Sequence, residues 1–163
     1  MKIGILSDSH DHLPNLKKAL EIFRRRGCEK IIHAGDFVSP FVMLTFKEFN
    51  LPVTGVFGNN DGDWLMLSKA GQGVCEIKKG PVELELAGRK IALMHEPVFM
   101  DALMSSNKFD LIVFGHTHQA SVQDPQGKGP LTINPGACCG IMTDRATAAV
   151  CDLKSLGAKL IEL

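Results

Sequence analysis

Five stretches of this chain share one pattern. An apolar run of strand length gives way at once to a short polar segment carrying Asp, Asn or His. Ile3-Gly4-Ile5-Leu6 leads to Asp8-Ser9-His10, and Ile31-Ile32-His33 leads to Gly35-Asp36. Val53-Thr54-Gly55-Val56 leads to Gly58-Asn59-Asn60-Asp61, and Ile91-Ala92-Leu93-Met94 to His95. Leu111-Ile112-Val113-Phe114 leads to Gly115-His116-Thr117-His118. In open α/β sheets, ligands gather outside the carboxyl ends of strands, where loops from different strands converge. The pattern therefore demands a fold that turns five strand ends towards one rim.

The intervening sequence supplies such a fold. Residues 2–7 read as a strand. Pro14 suits a first helical position, and Leu16, Ala19, Leu20 and Phe23 follow at helical spacing. Arg24-Arg25-Arg26 and Gly27 end that helix. Residues 30–33 form a second strand. Ser39-Pro40 provides an N-cap and a first-turn proline for a helix reaching about residue 49. Residues 52–56 are a third strand, and a short helix covers 63–69. Strand-helix alternation of this kind implies parallel strands with right-handed crossovers. Three short strands follow at 74–78, 82–86 and 90–94. They are split by Lys79-Gly80 and Ala87-Gly88, which read as hairpin turns. A helix near 99–106 and strands near 111–114, 120–123, 131–134, 147–152 and 159–163 complete the chain. The expectation is an α/β (α+β) fold with two sheets face to face and helices outside. With no repeat or linker, residues 1–163 read as a single domain.

Composition excludes several functions. The 163 residues carry 18 basic and 18 acidic side chains, a formal net charge of zero. A general electrostatic grip on nucleic acid or on an anionic membrane is not expected. The apolar runs fall short of the roughly 18–20 residues that span a bilayer. Five cysteines are an odd number, and Cys138 and Cys139 are adjacent without any CxxC pair. This reads as a reduced, cytoplasmic chain whose thiols are small, buried and inert.

The polar segments contribute two carboxylates, one carboxamide and four imidazoles: Asp8, Asp36, Asn59, His10, His95, His116 and His118. Seven donors exceed one tetrahedral zinc site. If one carboxylate is shared, they make two sites of four. The mixed oxygen and nitrogen set suits Mn, Fe, Co, Ni or Zn better than Ca or Mg.

In this order, Asp-x-His, Gly-Asp, Gly-Asn-x-Asp, His and Gly-His-x-His resemble the calcineurin-like metallophosphoesterase superfamily, over roughly residues 1–155. The short length is similar to its small bacterial and archaeal phosphodiesterases. The resemblance implies a four-layer α-β-β-α sandwich with two mixed β-sheets. It assigns Asp8, His10, Asp36 and His118 to a first metal, and Asp36, Asn59, His95 and His116 to a second, with Asp36 as the bridge. It implies a phosphodiesterase using two divalent ions, with manganese expected and nickel, iron, cobalt and zinc as alternatives. A metal-bridging hydroxide would attack phosphorus in line. Asp36, Asn59, Asn60 and His116 are the catalytic candidates. The expected partner is a small phosphoester, with a homo-oligomer left open. Alternatives are a phosphomonoesterase on the same site, or a non-catalytic scaffold of this fold like a retromer subunit.

Two departures stand out. Many family members have His after the Gly-Asn pair, where it helps protonate the leaving oxygen; this chain has Asn60. Glu96-Pro97 follows His95 where relatives carry Gly and another His. Among other residues, His12 reads as an exposed turn residue and His33 as structural or as a partner orienting a ligand. Asn134-Pro135-Gly136 reads as support for the metal rim.

Overall fold

The computed structural model describes residues 1–124 and 128–163. The first half runs β1 (Lys2–Leu6), α1 (Leu13–Arg25), β2 (Lys30–His33), α2 (Val42–Phe49), β3 (Val53–Val56), α3 (Trp64–Gly71) and β4 (Cys75–Lys78). The second half runs β5 (Val82–Leu86), β6 (Arg89–Leu93), α4 (Met100–Ser105), β7 (Leu111–Val113), β8 (Ser121–Gln123), β9 (Leu131–Asn134), β10 (Thr147–Asp152) and β11 (Gly157–Glu162).

The strands form two mixed sheets, ordered β11-β10-β1-β2-β3-β4 and β5-β6-β7-β9-β8. Strands β1 to β4 are parallel, with Leu6 opposite His33 and His33 opposite Gly55. Their carboxyl ends therefore line one edge. In the second sheet β6, β7 and β9 are parallel, with Leu93 opposite Val113 and Val113 opposite Ile133. Hydrophobic runs buried on both faces, such as β2 and β3, are what a covered parallel sheet requires.

Ile3, Ile5, Ile32 and Val56 of the first sheet meet Ile91, Leu93, Leu111, Val113 and Ile133 of the second in a core between the sheets. Leu16, Leu20 and Phe23 of α1, Met43 and Phe46 of α2 and Leu67 of α3 pack against the outer face of the first sheet, on Leu6 and Ile31. Met100 and Leu103 of α4 cover Ala92, Met94 and Ile112 on the other side. The layers are thus helix, sheet, sheet, helix, the expected sandwich. All five cysteines are free and buried. Burial pushes Cys28 and Cys151 up to about 11 and Cys75 up to about 12, well above the range where a thiolate forms readily.

Two local expectations fail. Lys79-Gly80 is not a hairpin turn: β4 pairs parallel with β3, and β5 belongs to the other sheet. The chain crosses between sheets there, whereas the β5-β6 hairpin at Ala87-Gly88 forms as expected. Ser39 does not cap α2, which starts at Val42 without a side-chain cap. Its N–H and hydroxyl both donate to Asp11 Oδ1, at 3.1 and 2.8 Å, so Ser39 ties the two loops together instead.

Candidate metal centre

The parallel registers bring the segments after β1, β2 and β3 to the same edge as those after β6 and β7. Backbone hydrogen bonds stitch them together. The Asp8 N–H donates to Gly35 O at 3.0 Å, the His10 N–H to Asp36 O at 3.1 Å, and the Gly115 N–H to His95 O at 3.0 Å. Five of the seven expected donors have left-handed backbones: Asp8 (φ 52°), His10 (42°), Asp36 (60°), His116 (64°) and His118 (58°). This region is uncommon for residues other than glycine, and where such strain clusters it accompanies function. Here it turns each side chain out of its strand direction and inward.

The seven side chains converge. His118 Nε2 lies 3.2 Å and His10 Nε2 3.8 Å from Asp8 Oδ1. Asp36 Oδ2 lies 3.5 Å from His10 Nε2 and 3.4 Å from His95 Nε2, so one carboxylate oxygen reaches a histidine of each expected set. Asn59 Oδ1 lies 2.8 Å from His95 Nε2 and 2.9 Å from His116 Nδ1. Both carboxylates are essentially excluded from solvent. Two groups, Asp8 with His10 and His118, and Asp8 with Asp36 and His95, have ligand atoms all within 4.8 Å of one another.

Three features show that these residues fit divalent cations. Asp8 Oδ1 and His10 Nε2 are buried with no hydrogen-bond partner. Such orphans are rare and costly unless an ion satisfies them. The ring of His95 places Nδ1 2.8 Å from Ala34 O. For a neutral ring, Nδ1 then donates to that carbonyl, and Nε2 presents a lone pair to the oxygens of Asn59 and Asp36. Three acceptors meet there without a hydrogen between them, and a cation resolves the conflict. A backbone carbonyl fixing the far nitrogen is also how metal-binding histidines are oriented.

A layer of supporting groups holds the donors. Asn60 clasps Asp36, its N–H donating to Oδ1 at 2.8 Å and its side-chain amide to Oδ2 at 2.7 Å. Asp61, which closes the Gly-Asn-x-Asp motif but was assigned no role from sequence, is buried. Its carboxylate accepts from the N–H of Val38 (2.7 Å), Gly58 (2.8 Å) and Asp36 (3.1 Å), joining the loops after β2 and β3. Burial pushes the Asp61 carboxyl above its ordinary value, against the pull of those donors. Gly58 is needed for this closeness, since a Cβ there would fall 2.2 Å from Asp36 Oδ1. Gly35, at φ 98°, lies against His95, where a Cβ would fall 2.6 Å from Nδ1.

His33 is fully buried and stacked on Phe37 at 3.8 Å. Burial holds the ring neutral, well below the usual histidine value. Its Nδ1 accepts from the Gly35 N–H at 3.2 Å, so Nε2 donates to Ser9 Oγ at 3.1 Å, and Ser9 donates to Asp36 O at 3.3 Å. It thus orients loop backbone rather than a ligand ring. Asn134 donates to Gly115 O and Thr117 Oγ1, locking the segment that carries His116 and His118. His12 caps α1, its Nδ1 accepting from the Asn15 N–H at 3.2 Å. The centre opens into a cleft of about 350 Å³ walled on one side by exposed Ile141 and Met142. Glu96 is exposed beside His95 and faces a neighbouring cavity that also touches Asn59.

Residues 1–156 match the family model described as the calcineurin-like phosphoesterase superfamily domain. The chain is 37% identical over 156 residues to Phosphodiesterase MJ0936 of Methanocaldococcus jannaschii, covering 93% of each chain. It is 29% identical to a probable metallophosphoesterase of Methanothermobacter thermautotrophicus, covering 84% of this chain and 77% of that one. Among solved structures, a novel archaeal phosphodiesterase superposes with a TM-score of 0.91 at 35% identity, over the full length of both chains. YfcE, a phosphoesterase from E. coli, superposes with a TM-score of 0.72 at 20% identity over 99% and 98% of the two chains, which speaks for the fold alone. No helix among the described residues is long and apolar enough to cross a membrane. With the donor cluster, the sandwich and a match over nearly its whole length in agreement, this chain belongs to the calcineurin-like phosphoesterase superfamily and is a phosphoric ester hydrolase.

Proposed function

We propose that this chain, acting as one domain over residues 1–163, is a phosphodiesterase that uses two divalent ions, with manganese as the expected metal. The observation that carries the reading is Asp36 Oδ2, within 3.5 Å of His10 and 3.4 Å of His95, beside the unsatisfied Asp8 Oδ1. Asp8, His10, Asp36 and His118 would hold one ion, and Asp36, Asn59, His95 and His116 the other. Two such ions would supply Lewis acidity to the phosphoryl oxygens and an activated water as nucleophile.

The chain's own residues do the rest. Two aspartates against two divalent charges leave a local cationic spot on a protein of zero net charge, which draws an anionic ester to the cleft. Asn60 fixes both oxygens of Asp36 and so holds the shared ligand still. An amide N–H is far too weak an acid to transfer its proton to a leaving oxygen. Esters with good leaving groups, such as aryl esters, are therefore the favoured substrates. Five buried free cysteines suit a reducing, cytoplasmic setting.

The test is chelation followed by reconstitution. Metal-free protein should be inactive on an aryl phosphodiester and regain turnover with Mn²⁺ or Ni²⁺. Absence of turnover with every divalent ion tried, while calorimetry shows ions bound, would instead support a scaffold. Parallel assays on aryl monoesters separate a monoesterase from the diesterase proposed here.

A further inference from the structure

Phe57 and Trp64 bracket the loop that carries Asn59 and Asn60, one at the end of β3 and the other at the start of α3. Their rings stack at 4.5 Å with only 6° between planes. Trp64 nevertheless remains 40% exposed. The stack forms one wall of a cavity of about 330 Å³ whose other apolar walls are Pro81, Met94 and Val98. Asn59 and His95 line the same cavity. It is therefore continuous with the metal centre but distinct from the cleft that holds His10 and His118. Nothing in the hydrolytic chemistry needs it.

We propose that this cavity receives a flat aromatic ring carried by the phosphoester substrate, an aryl group or a nucleobase. The inference rests on the phosphoesterase reading above and adds the class of substituent. Three observations support it. The size lies at the lower end for small-ligand sites, which are concave and mostly apolar with a few polar groups. An exposed indole beside a phenyl ring offers the surface on which planar rings stack. Two of the expected metal ligands, Asn59 and His95, line the cavity together with Trp64, so a phosphoryl group held by them would have this space within reach of its substituent. Lys79 Nζ lies over the Trp64 ring, 5.9 Å from its centre, and adds a cation to the lining of the cavity. An alkyl substituent would fill the space without using the stack.

Trp64 is the single tryptophan of the chain, so its emission reports on this cavity alone. Mn²⁺-loaded protein is titrated with phenylphosphonate and, separately, methylphosphonate, which differ only in the substituent. Calorimetry gives the affinities, and tryptophan fluorescence reports occupancy of the cavity. The expected result is phenylphosphonate bound about tenfold tighter, with a change in emission that methylphosphonate does not cause. In Trp64→Leu the affinity ratio should fall towards one. Val98→Ser, at another apolar lining residue, should also narrow the ratio and keeps the fluorophore should the first variant not fold. Equal affinities with unchanged emission, in protein that hydrolyses an aryl diester, overturn the aromatic cavity and leave the phosphoesterase reading intact. Failure of both phosphonates to bind, together with no hydrolysis, overturns both.

Discussion

At the scale of single residues, Asn60 and Asp61 sit side by side and do different work. Asn60 faces the cleft and holds the Asp36 carboxylate, while Asp61 faces inward and holds backbone. Asn60→His would place an imidazole able to donate a proton at the leaving-group side. General acid catalysis is worth about 10²–10⁴-fold. The variant should gain within that range on alkyl diesters and change little on p-nitrophenyl diesters; equal changes on both would mean that position 60 does not face the leaving group. Asp61→Asn would swap one of two oxygens that accept backbone N–H for an amide nitrogen that cannot. Metal affinity should fall about 10–100-fold by calorimetry, the usual cost of losing support behind a ligand, with circular dichroism unchanged. The convergence of the seven side chains was legible because Asp, Asn and His directly after apolar runs have few other reasons to recur five times. The role of Asp61, though it closes the Gly-Asn-x-Asp motif, was not, because a carboxylate buried to receive three N–H groups looks in sequence like any turn or cap residue.

At the scale of elements, local patterns located strands well but not their partners. Val74 to Lys78 reads as a strand from its own residues, yet nothing in Lys79-Gly80 tells whether the next strand folds back or crosses to another sheet. That choice depends on the free edge of β3, a neighbour distant in the chain. Ser39 failed as a cap for a similar reason, since Asp11 competes for it from 28 residues away. Arg89 at the start of β6 shows how the sheets are tied at the far end. Its guanidinium donates to Leu153 O (3.1 Å), Lys154 O (3.2 Å) and Asp110 Oδ1 (2.9 Å). The Arg89 and Asp110 side chains are both about a third exposed, at 32% and 31%. Arg89→Ala should therefore cost about 1–2 kcal/mol in urea unfolding rather than the full sum of three bonds. Asp110 also accepts the Lys90 N–H at 2.9 Å. That bond, followed by the Arg89 side chain, holds its carboxyl below the ordinary carboxylate value. Its contribution is thus complete above about pH 4 and disappears as pH drops through the depressed folded value. Wild type and Asp110→Asn should converge in stability at acid pH and separate above it. A constant gap across that range would show that the carboxyl does not titrate in this way.

At the scale of the whole molecule, the layered architecture followed from strand-helix order and from runs too apolar for one solvated face. The two departures from the family pattern, Asn60 and Glu96, were visible in sequence, but their meaning was not. Only the fold shows Asn60 clamping Asp36 and Glu96 beside a second cavity. That cavity was invisible beforehand because Phe57, Trp64, Pro81 and Val98 come from four segments, each ordinary by itself.

The donors divide between the sheets: Asp8, His10, Asp36 and Asn59 follow strands of one, and His95, His116 and His118 follow strands of the other. An ion bound among them is therefore a rivet through the seam of the sandwich. Filling the site should make the halves part less readily, by about 2.7 kcal/mol when free Mn²⁺ is a hundred times its dissociation constant. The melting temperature should climb with ion concentration, and amide exchange should slow together in the loops after β1 and β7. A melting point indifferent to Mn²⁺ would mean that no fastener joins the two halves there.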